Sequence, residues 1–496
     1  MSYLLGFDSG TSSVKASLLD AESGKVIASA TSPAKEMEII SHKSGWAEQR
    51  PDTWWENLRV ASKKVVKESG IDVGDIAAIG ITYQMHGLVA VDKQLIPLRP
   101  SIIWCDSRAV EIGRKACEDM GEQFCLENFL NSPGNFTASK LKWVMDNEPD
   151  IYEKIYKIML PGDYLAMKMT GKVTTTTSGL SEGILWNFKH KRAAREVMQC
   201  YGISEDFLPE VMDTFSVHGQ LTVGAAVELG LKAGTKVAYR AGDQPNNAFS
   251  LNVLNPGEVA ATAGTSGVVY GIGEKSSYDS LSRVNTFAHV NYANDNPRYG
   301  VLLCVNGAGI LNSWLKHNIT TSIDYAEINE MAMAAPAGSV GLSMLPYGNG
   351  AERTLANKNI GASVFGLNFN IHDKSHILRA AQEGIVFALK YGLDIMGQMG
   401  VESKTVRAGN ANMFLSPLFA TAFATVTGSV VELYNTDGSQ GAARGAGIAC
   451  GLYASNDDAF VGLRKSCEIA PDESLSDSYK EAYGLWLSRL NALLND

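Results

Sequence analysis

No apolar run in the 496 residues approaches the roughly 18 that a membrane-spanning helix requires, and charged residues make up only 19%. The first absence speaks against a membrane span. The second, beside an apolar share of 45%, speaks against disorder and for large cores. An excess of positive charge is missing as well. Lys plus Arg number 43 against 53 Asp plus Glu, a formal charge of −10, which argues against nucleic-acid binding through a bulk basic surface. Anionic ligands stay open, because backbone N–H groups can hold a phosphate. The seven cysteines are scattered and contain no C-x-x-C pair, so free thiols in a cytoplasmic protein are expected rather than a disulfide or zinc framework. Met1 to Phe7 meets Asp8 at once, without the charged start and long apolar stretch of a signal peptide. Neither the G-x-x-x-x-G-K-[ST] phosphate loop nor the G-x-G-x-x-G dinucleotide loop occurs. Any nucleotide site has to be built another way.

What the chain has in excess is glycine, 48 residues against an average near 7%. That points to many tight turns, or to backbone brought close to a ligand. The length allows about three domains of roughly 150 residues, or two large ones. Tyr3–Phe7, Val14–Leu19 and Val26–Ala28 read as a three-strand meander. A helix follows over residues 51–69, then strands at Ile76–Thr82 and Val89–Val91. Residues 106–215 read as mostly helical. Near residue 240 the pattern restarts, and Gly10-Thr11-Ser12 recurs as Gly264-Thr265-Ser266, both times between two apolar strand-like runs. A repeat at half the chain length favours two domains, 1–240 and 241–496, with a last helix at about 476–494 packing back on the first.

Four constellations carry candidate chemistry. Asp8-Ser9-Gly10-Thr11-Ser12-Ser13-Val14-Lys15 is a hairpin whose backbone N–H groups and hydroxyls suit a phosphate, with Asp8 placed to hold a hydrated Mg²⁺. The competing reading is a plain β-turn with local Asp and Ser bonds, and the second Gly-Thr-Ser hairpin shifts the balance toward a polyphosphate grip. Gly242-Asp243-Gln244 offers a carboxylate able to accept a proton from a substrate hydroxyl, or to cap a helix beginning near Pro245. Gln84-Met85-His86-Gly87 follows a strand and supplies hydrogen-bonding groups of the kind a polyol needs, or is a satisfied His in a turn. Trp104-Cys105-Asp106-Ser107-Arg108 gives a flat apolar wall and polar fixing points, or a helix start capped by Asp106 with Arg108 exposed.

Together, and in this order, these motifs resemble the FGGY family of carbohydrate kinases. The matching pieces also include Phe136 to Trp143, Leu345-Pro346-Tyr347 with Glu352-Arg353, Phe365-Gly366-Leu367 and the run Gly438 to Gly447. The resemblance covers essentially the whole chain. It implies an α/β fold of two actin-like (ribonuclease H-like) ATPase domains flanking a catalytic cleft. It implies ATP and Mg²⁺, with Asp243 as catalytic base and Asp8 placing the metal, Asp243 being a second candidate ligand. Gly10, Thr11, Ser12 and Lys15, with Gly264, Thr265 and Ser266, would meet the phosphates, and Gly409 and Asn410 would lie near the adenosine. Gln84, Met85, His86, Trp104, Asp106, Asp243 and Gln244 would meet the sugar, and Met85-His86-Gly87 points towards D-xylulose. The implied reaction is ATP-dependent phosphorylation of D-xylulose to D-xylulose 5-phosphate, in the cytoplasm, with no nucleic-acid or membrane partner and a homodimer as the candidate assembly. Alternatives are the same chemistry on ribulose, gluconate or glycerol, or an actin-like ATPase acting as a chaperone or filament. Departures are Asn410 and Asn412 in place of a glycine-rich run, Asn135 before Phe136, Ala351 before Glu352, and Pro245-Asn246-Asn247 after Gln244.

Overall fold

The computed structural model describes residues 1–355, 358–402 and 404–495, without the side chain of Glu352. The chain divides into two compact units. One takes in Met1–Asn252, Phe287–Tyr299 and Thr436–Leu463; the other takes in Val253–Thr286, Gly300–Asn435 and the chain from Arg464 on.

The first unit is built on β1 (Tyr3–Ser9), β2 (Val14–Asp20), β3 (Val26–Ser32), β4 (Ile76–Tyr83) and β5 (Lys236–Gly242). A short strand, Gly219–Gln220, sits at one edge, and the six-stranded order is that strand, β5, β4, β1, β2, β3. β1, β2 and β3 form the expected antiparallel meander. β1 and β5 both run parallel to β4. Central strands buried on both faces read as continuous apolar runs, and Leu4, Leu5 and Phe7 are fully buried. The helix Pro51–Ser69 opens on Pro51, ends on Gly70 at φ 65°, and buries Trp54, Trp55, Leu58, Ala61 and Val65. That three- and four-residue spacing lays one face on the sheet.

The second unit repeats the plan with β6 (Val259–Ala263), β7 (Gly267–Gly273), β8 (Tyr299–Val305), β9 (Thr405–Gly409), β10 (Val430–Tyr434) and β11 (Lys465–Ile469). The strand order, from Asn285–Ala288, is β8, β7, β6, β9, β10, β11. β6 pairs antiparallel with β7 and parallel with β9, which runs parallel to β10. The order third, second, first, fourth, fifth is thus the same in both units. The duplicated Gly-Thr-Ser occupies the same turn in each, between the first and second strands of its sheet.

The expected single cut at residue 240 gives way to an interleaved division. One of the two returning segments carries the helix Gly438–Ala449, whose small residues let it lie directly on the first sheet. A Cβ at Gly6 would fall 1.9 Å from the Ser439 carbonyl oxygen, and one at Gly80 1.9 Å from that of Ala442. The closing helix Ser476–Asn495 packs within the second unit, correcting the expectation that it returns to the first. Trp486 donates to the Met344 carbonyl at 3.0 Å, and the Tyr479 hydroxyl accepts from Arg379 at 2.8 Å. No helix among the described residues is long and apolar enough to cross a membrane.

Candidate active site

Parallel strands bring their C-terminal ends to one edge, where α/β sheets bind ligands. In the first sheet Asp8 pairs with Thr82, and Thr82 with Ala241. Asp8, the Gln84–Gly87 turn and Asp243 therefore emerge side by side. Asp243 is the first residue of the helix Asp243–Ser250, with Gly242 at the N-cap, so the capping role considered for Asp243 falls to Gly242. A third acid, Asp437, caps the helix Gly438–Ala449 by accepting from Gln440 N at 3.1 Å. A Cβ at Gly438 would lie 2.3 Å from Asp8 Oδ2, so only glycine lets the helix start so close to that carboxylate.

Lys15 acts on two of these acids, Asp437 and Asp8. Lys15 reaches Asp437 Oδ2 at 2.6 Å. Burial raises Asp437, but the Lys15 charge and the bonds from Lys15, Ser439 and Gln440 outweigh it and leave the group below the usual range. Asp8 is pushed up to about 7 by burial, then by the charges of Asp243 and Asp437, against the pull of Lys15. Asp243 is pushed up to about 7 by burial, which hydrogen bonds from Gln244 partly offset. Asp8 and Asp243 present hard carboxylate oxygens close enough for their charges to interact, and such oxygens are what a hydrated Mg²⁺ takes as ligands, so this pair fits that ion.

Beside the acids lies a hydrogen-bonded wall. Trp104 Nε1 donates to the Thr11 hydroxyl at 2.9 Å, and that hydroxyl reaches Gln84 Oε1 at 3.3 Å. Gln84 Nε2 donates to Gln49 Oε1 at 2.9 Å, and Gln49 Nε2 to the Thr11 carbonyl at 2.8 Å. The Thr11 side chain is thus engaged with its neighbours, while Ser12 beside it is exposed. Asp106 is buried, accepting from Ala47 N at 2.6 Å and from the Arg108 guanidinium at 2.7 Å. The Arg108 side chain is buried too, against the reading that leaves it exposed. Its guanidinium pairs with Glu48 at 2.7 Å and lies 3.9 Å from the ring centre of Trp46. The following helix begins at Val110 with Ala109 as its cap, so Asp106 is not a helix cap either.

Met85 packs against Gly242, the residue before Asp243. A Cβ at Gly242 would sit 2.6 Å from Met85 Cγ. His86 adopts φ 61°, and its ring packs on Phe136 at 4.8 Å and Phe287 at 5.4 Å. Sequence reasoning missed four residues that shape this corner: Gln49, Lys140, Glu182 and Asp437. Glu182 did leave a signal, as the sole charged residue between Val173 and Phe188. Asp437 left another, an Asp directly before a glycine-rich helix.

In the second unit the Gly264 turn is held by the next helix start. Gly309 N donates to the Gly264 carbonyl at 2.8 Å, and Ile310 N to that of Thr265 at 3.2 Å. Thr265 is exposed and Ser266 half-buried. Gly409 and Asn410 emerge at the same end of the second sheet. Asn410 N donates to the Tyr434 carbonyl at 2.9 Å, and its side-chain amide to Asn435 at 3.3 Å. An amide network thus stands where a glycine-rich run was expected.

Comparison with known proteins agrees with this architecture along the chain. The N-terminal domain of the FGGY family of carbohydrate kinases matches residues 3–250, and the C-terminal domain of that family matches residues 259–454. A xylulose kinase of Bacillus subtilis is 29% identical over 493 residues, covering 98% of this chain and 96% of that protein. Ligand-bound xylulose kinase from Lactobacillus acidophilus superposes with a TM-score of 0.91 at 24% identity, over 99% of this chain and 98% of that one. Gluconate kinase from the same organism superposes at 0.90 and 23% identity, over 99% and 98%. Two sheets of one topology, each carrying a Gly-Thr-Ser turn, and family matches over both halves lead to one assignment: this chain belongs to the FGGY family of carbohydrate kinases, whose fold is actin-like and whose co-substrate is ATP.

Proposed function

We propose that the chain transfers the terminal phosphoryl group of ATP to the terminal hydroxyl of D-xylulose, giving D-xylulose 5-phosphate and ADP. The observation that carries the reading is the shared corner of the first unit. The Met85-His86 turn touches Gly242, and the next residue is an acid displaced to about 7, where it can take a proton near neutral pH. The B. subtilis relative, named xylulose kinase and matched over nearly its full length, supports that substrate.

In this reading Asp243 orients the sugar hydroxyl and accepts its proton as the phosphoryl group leaves ATP. Asp8 would hold Mg²⁺, and the ion would supply the charge neutralisation that phosphoryl transfer requires. Met85, His86, Gln84 and the Trp104 wall orient the sugar. The turns at Gly10–Ser13 and Gly264–Ser266 offer backbone N–H groups and hydroxyls to the phosphates, and Gly409 and Asn410 lie towards the adenosine. The free thiols suit the cytoplasm, where such a kinase would act.

A coupled ADP-release assay over ketopentoses, polyols and sugar acids tests the assignment. D-xylulose should give the highest kcat/KM. A clear preference for ribulose, gluconate or glycerol would overturn the substrate while leaving the kinase chemistry in place.

A further inference from the structure

Glu182 has no role in the chemistry above, yet it meets the sugar-facing turn at several points. It is the last residue of the short helix Thr177–Glu182 and is 2% exposed. Its Oε1 accepts from the Tyr83 hydroxyl at 2.6 Å, and its Oε2 accepts from the His86 backbone N–H at 3.1 Å. Its own carbonyl oxygen lies 2.7 Å from His86 Nδ1. A Cβ at Gly242 would come within 3.3 Å of Glu182 Oε2, which places this carboxylate beside the residue that precedes Asp243.

A carbonyl oxygen can only accept, so Nδ1 of His86 must carry the proton in that bond. The neutral ring then has its lone pair on Nε2. The same residue therefore sets both the backbone and the tautomer of His86. The backbone matters because φ 61° is strained for a residue with a side chain, at about 1–3 kcal/mol, and persists only where its surroundings over-determine it. Those surroundings are visible. Lys140 Nζ donates to the His86 carbonyl at 2.8 Å and to that of Ile103 at 3.0 Å. Tyr83 is itself locked, since a Cβ at Gly162 would fall 2.0 Å from its ring.

We propose that Glu182 is a positioning residue for sugar recognition, holding the Met85-His86 turn through the His86 N–H and presenting His86 as the Nδ1–H tautomer, so that Nε2 accepts a hydrogen bond from a substrate hydroxyl. The proposal rests on the sugar-kinase reading for its ligand and on the bond geometry for its tautomer. It concerns a specificity contact, so its effect belongs in the sugar KM rather than in the KM for ATP. A purely structural role would lower the amount of folded enzyme and leave both KM values alone.

The test pairs steady-state kinetics on the full-length chain with long-range ¹H–¹⁵N imidazole spectra. Glu182→Ala should raise the KM for D-xylulose about tenfold, with the KM for ATP within about twofold, for the lost hydrogen bond between the buried Glu182 side chain and the His86 N–H. Glu182→Gln keeps an acceptor for the His86 N–H and should recover most of the loss. Tyr83→Phe, which removes only the outer support, should raise the sugar KM by a smaller factor. In the wild type the His86 spectrum should show a protonated Nδ1 and an unprotonated Nε2. An unchanged sugar KM in folded Glu182→Ala, an equal rise in both KM values, or the opposite tautomer in the wild type would each overturn the proposal. If the wild type prefers another sugar, the same KM comparison applies with that sugar, and only the D-xylulose assignment fails. If no sugar stimulates ADP release, the kinase reading fails, and the spectrum alone decides whether Glu182 sets the tautomer.

Discussion

Asp243 and Asp8 titrate near 7 because burial penalises their charged forms and, for Asp8, because Asp243 and Asp437 lie close. In its proposed role as base, Asp243 must be deprotonated, so kcat/KM should rise with pH along a limb centred near 7 and level off above it. The Asp8 and Asp243 charges interact, so the measured midpoint belongs to the pair. A pH–rate profile flat from 5 to 8 would contradict this assignment. Asp243→Asn should lower kcat by about 10²–10⁴-fold, the usual share of general base catalysis, with little change in sugar affinity by calorimetry. Arg108 tests a structural claim at the same scale. It pairs with buried Asp106 and Glu48, so Arg108→Ala should destabilise the fold by about 3–5 kcal/mol in urea unfolding, as uncompensated buried charges do. Asp8 and Asp243 were legible in the sequence because each follows a strand-like run and sits in turn chemistry. Gln49 and Lys140 were not, because what makes them matter is a partner far away in the chain, and Glu182 left only its lone charge as a trace.

The helix Gly438–Ala449 shows how an element carries the site. Its glycines and alanines let its backbone approach the first sheet, and Gly438 admits the Asp8 carboxylate. Gly438→Ala would drive a methyl group to 2.3 Å from Asp8 Oδ2. It should remove most Mg²⁺-dependent turnover, while the far-ultraviolet dichroism stays that of the wild type. Asp437 has two jobs on this helix, capping it and holding Lys15. Asp437→Ala should lower stability by about 0.5–2 kcal/mol through the lost cap, whereas Asp437→Asn retains most of that stability. Thermal melts of the two variants would separate the roles, and equal losses would show that the Lys15 pair dominates. The sequence announced this helix through its glycine cluster. It could not say which sheet the helix would cover, because small residues permit close packing on either.

Across the whole molecule, the repeated Gly-Thr-Ser was the most informative trace of the fold. It marks the first turn of two sheets with one strand order. The interleaving of the units was hidden, since a repeat fixes the number of sheets and not the path by which late segments return. The buried acids also set a property of the whole fold. Asp8 and Asp243 have folded-state values raised above the ordinary carboxylate range, so without metal the folded chain binds more protons than the unfolded chain between about pH 4 and 7. Stability contributed by these groups is therefore greatest at the acid side of that window and declines until pH passes 7. With a chelator present, this contribution should lower the melting midpoint over that interval, and Mg²⁺ should raise the midpoint more at pH 8 than at pH 5 by binding the folded state. An equal Mg²⁺ effect at both pH values would mean that these acids are not its ligands.

The central claim is that Asp243 is the base of a sugar kinase acting on D-xylulose. Its most direct test is D-xylulose-dependent ADP release by Asp243→Ala beside the wild type, with sugar binding measured on the same preparations. The account predicts sugar-stimulated turnover in the wild type, its loss in the variant, and retained sugar binding in both. Near-normal turnover in the variant would contradict it.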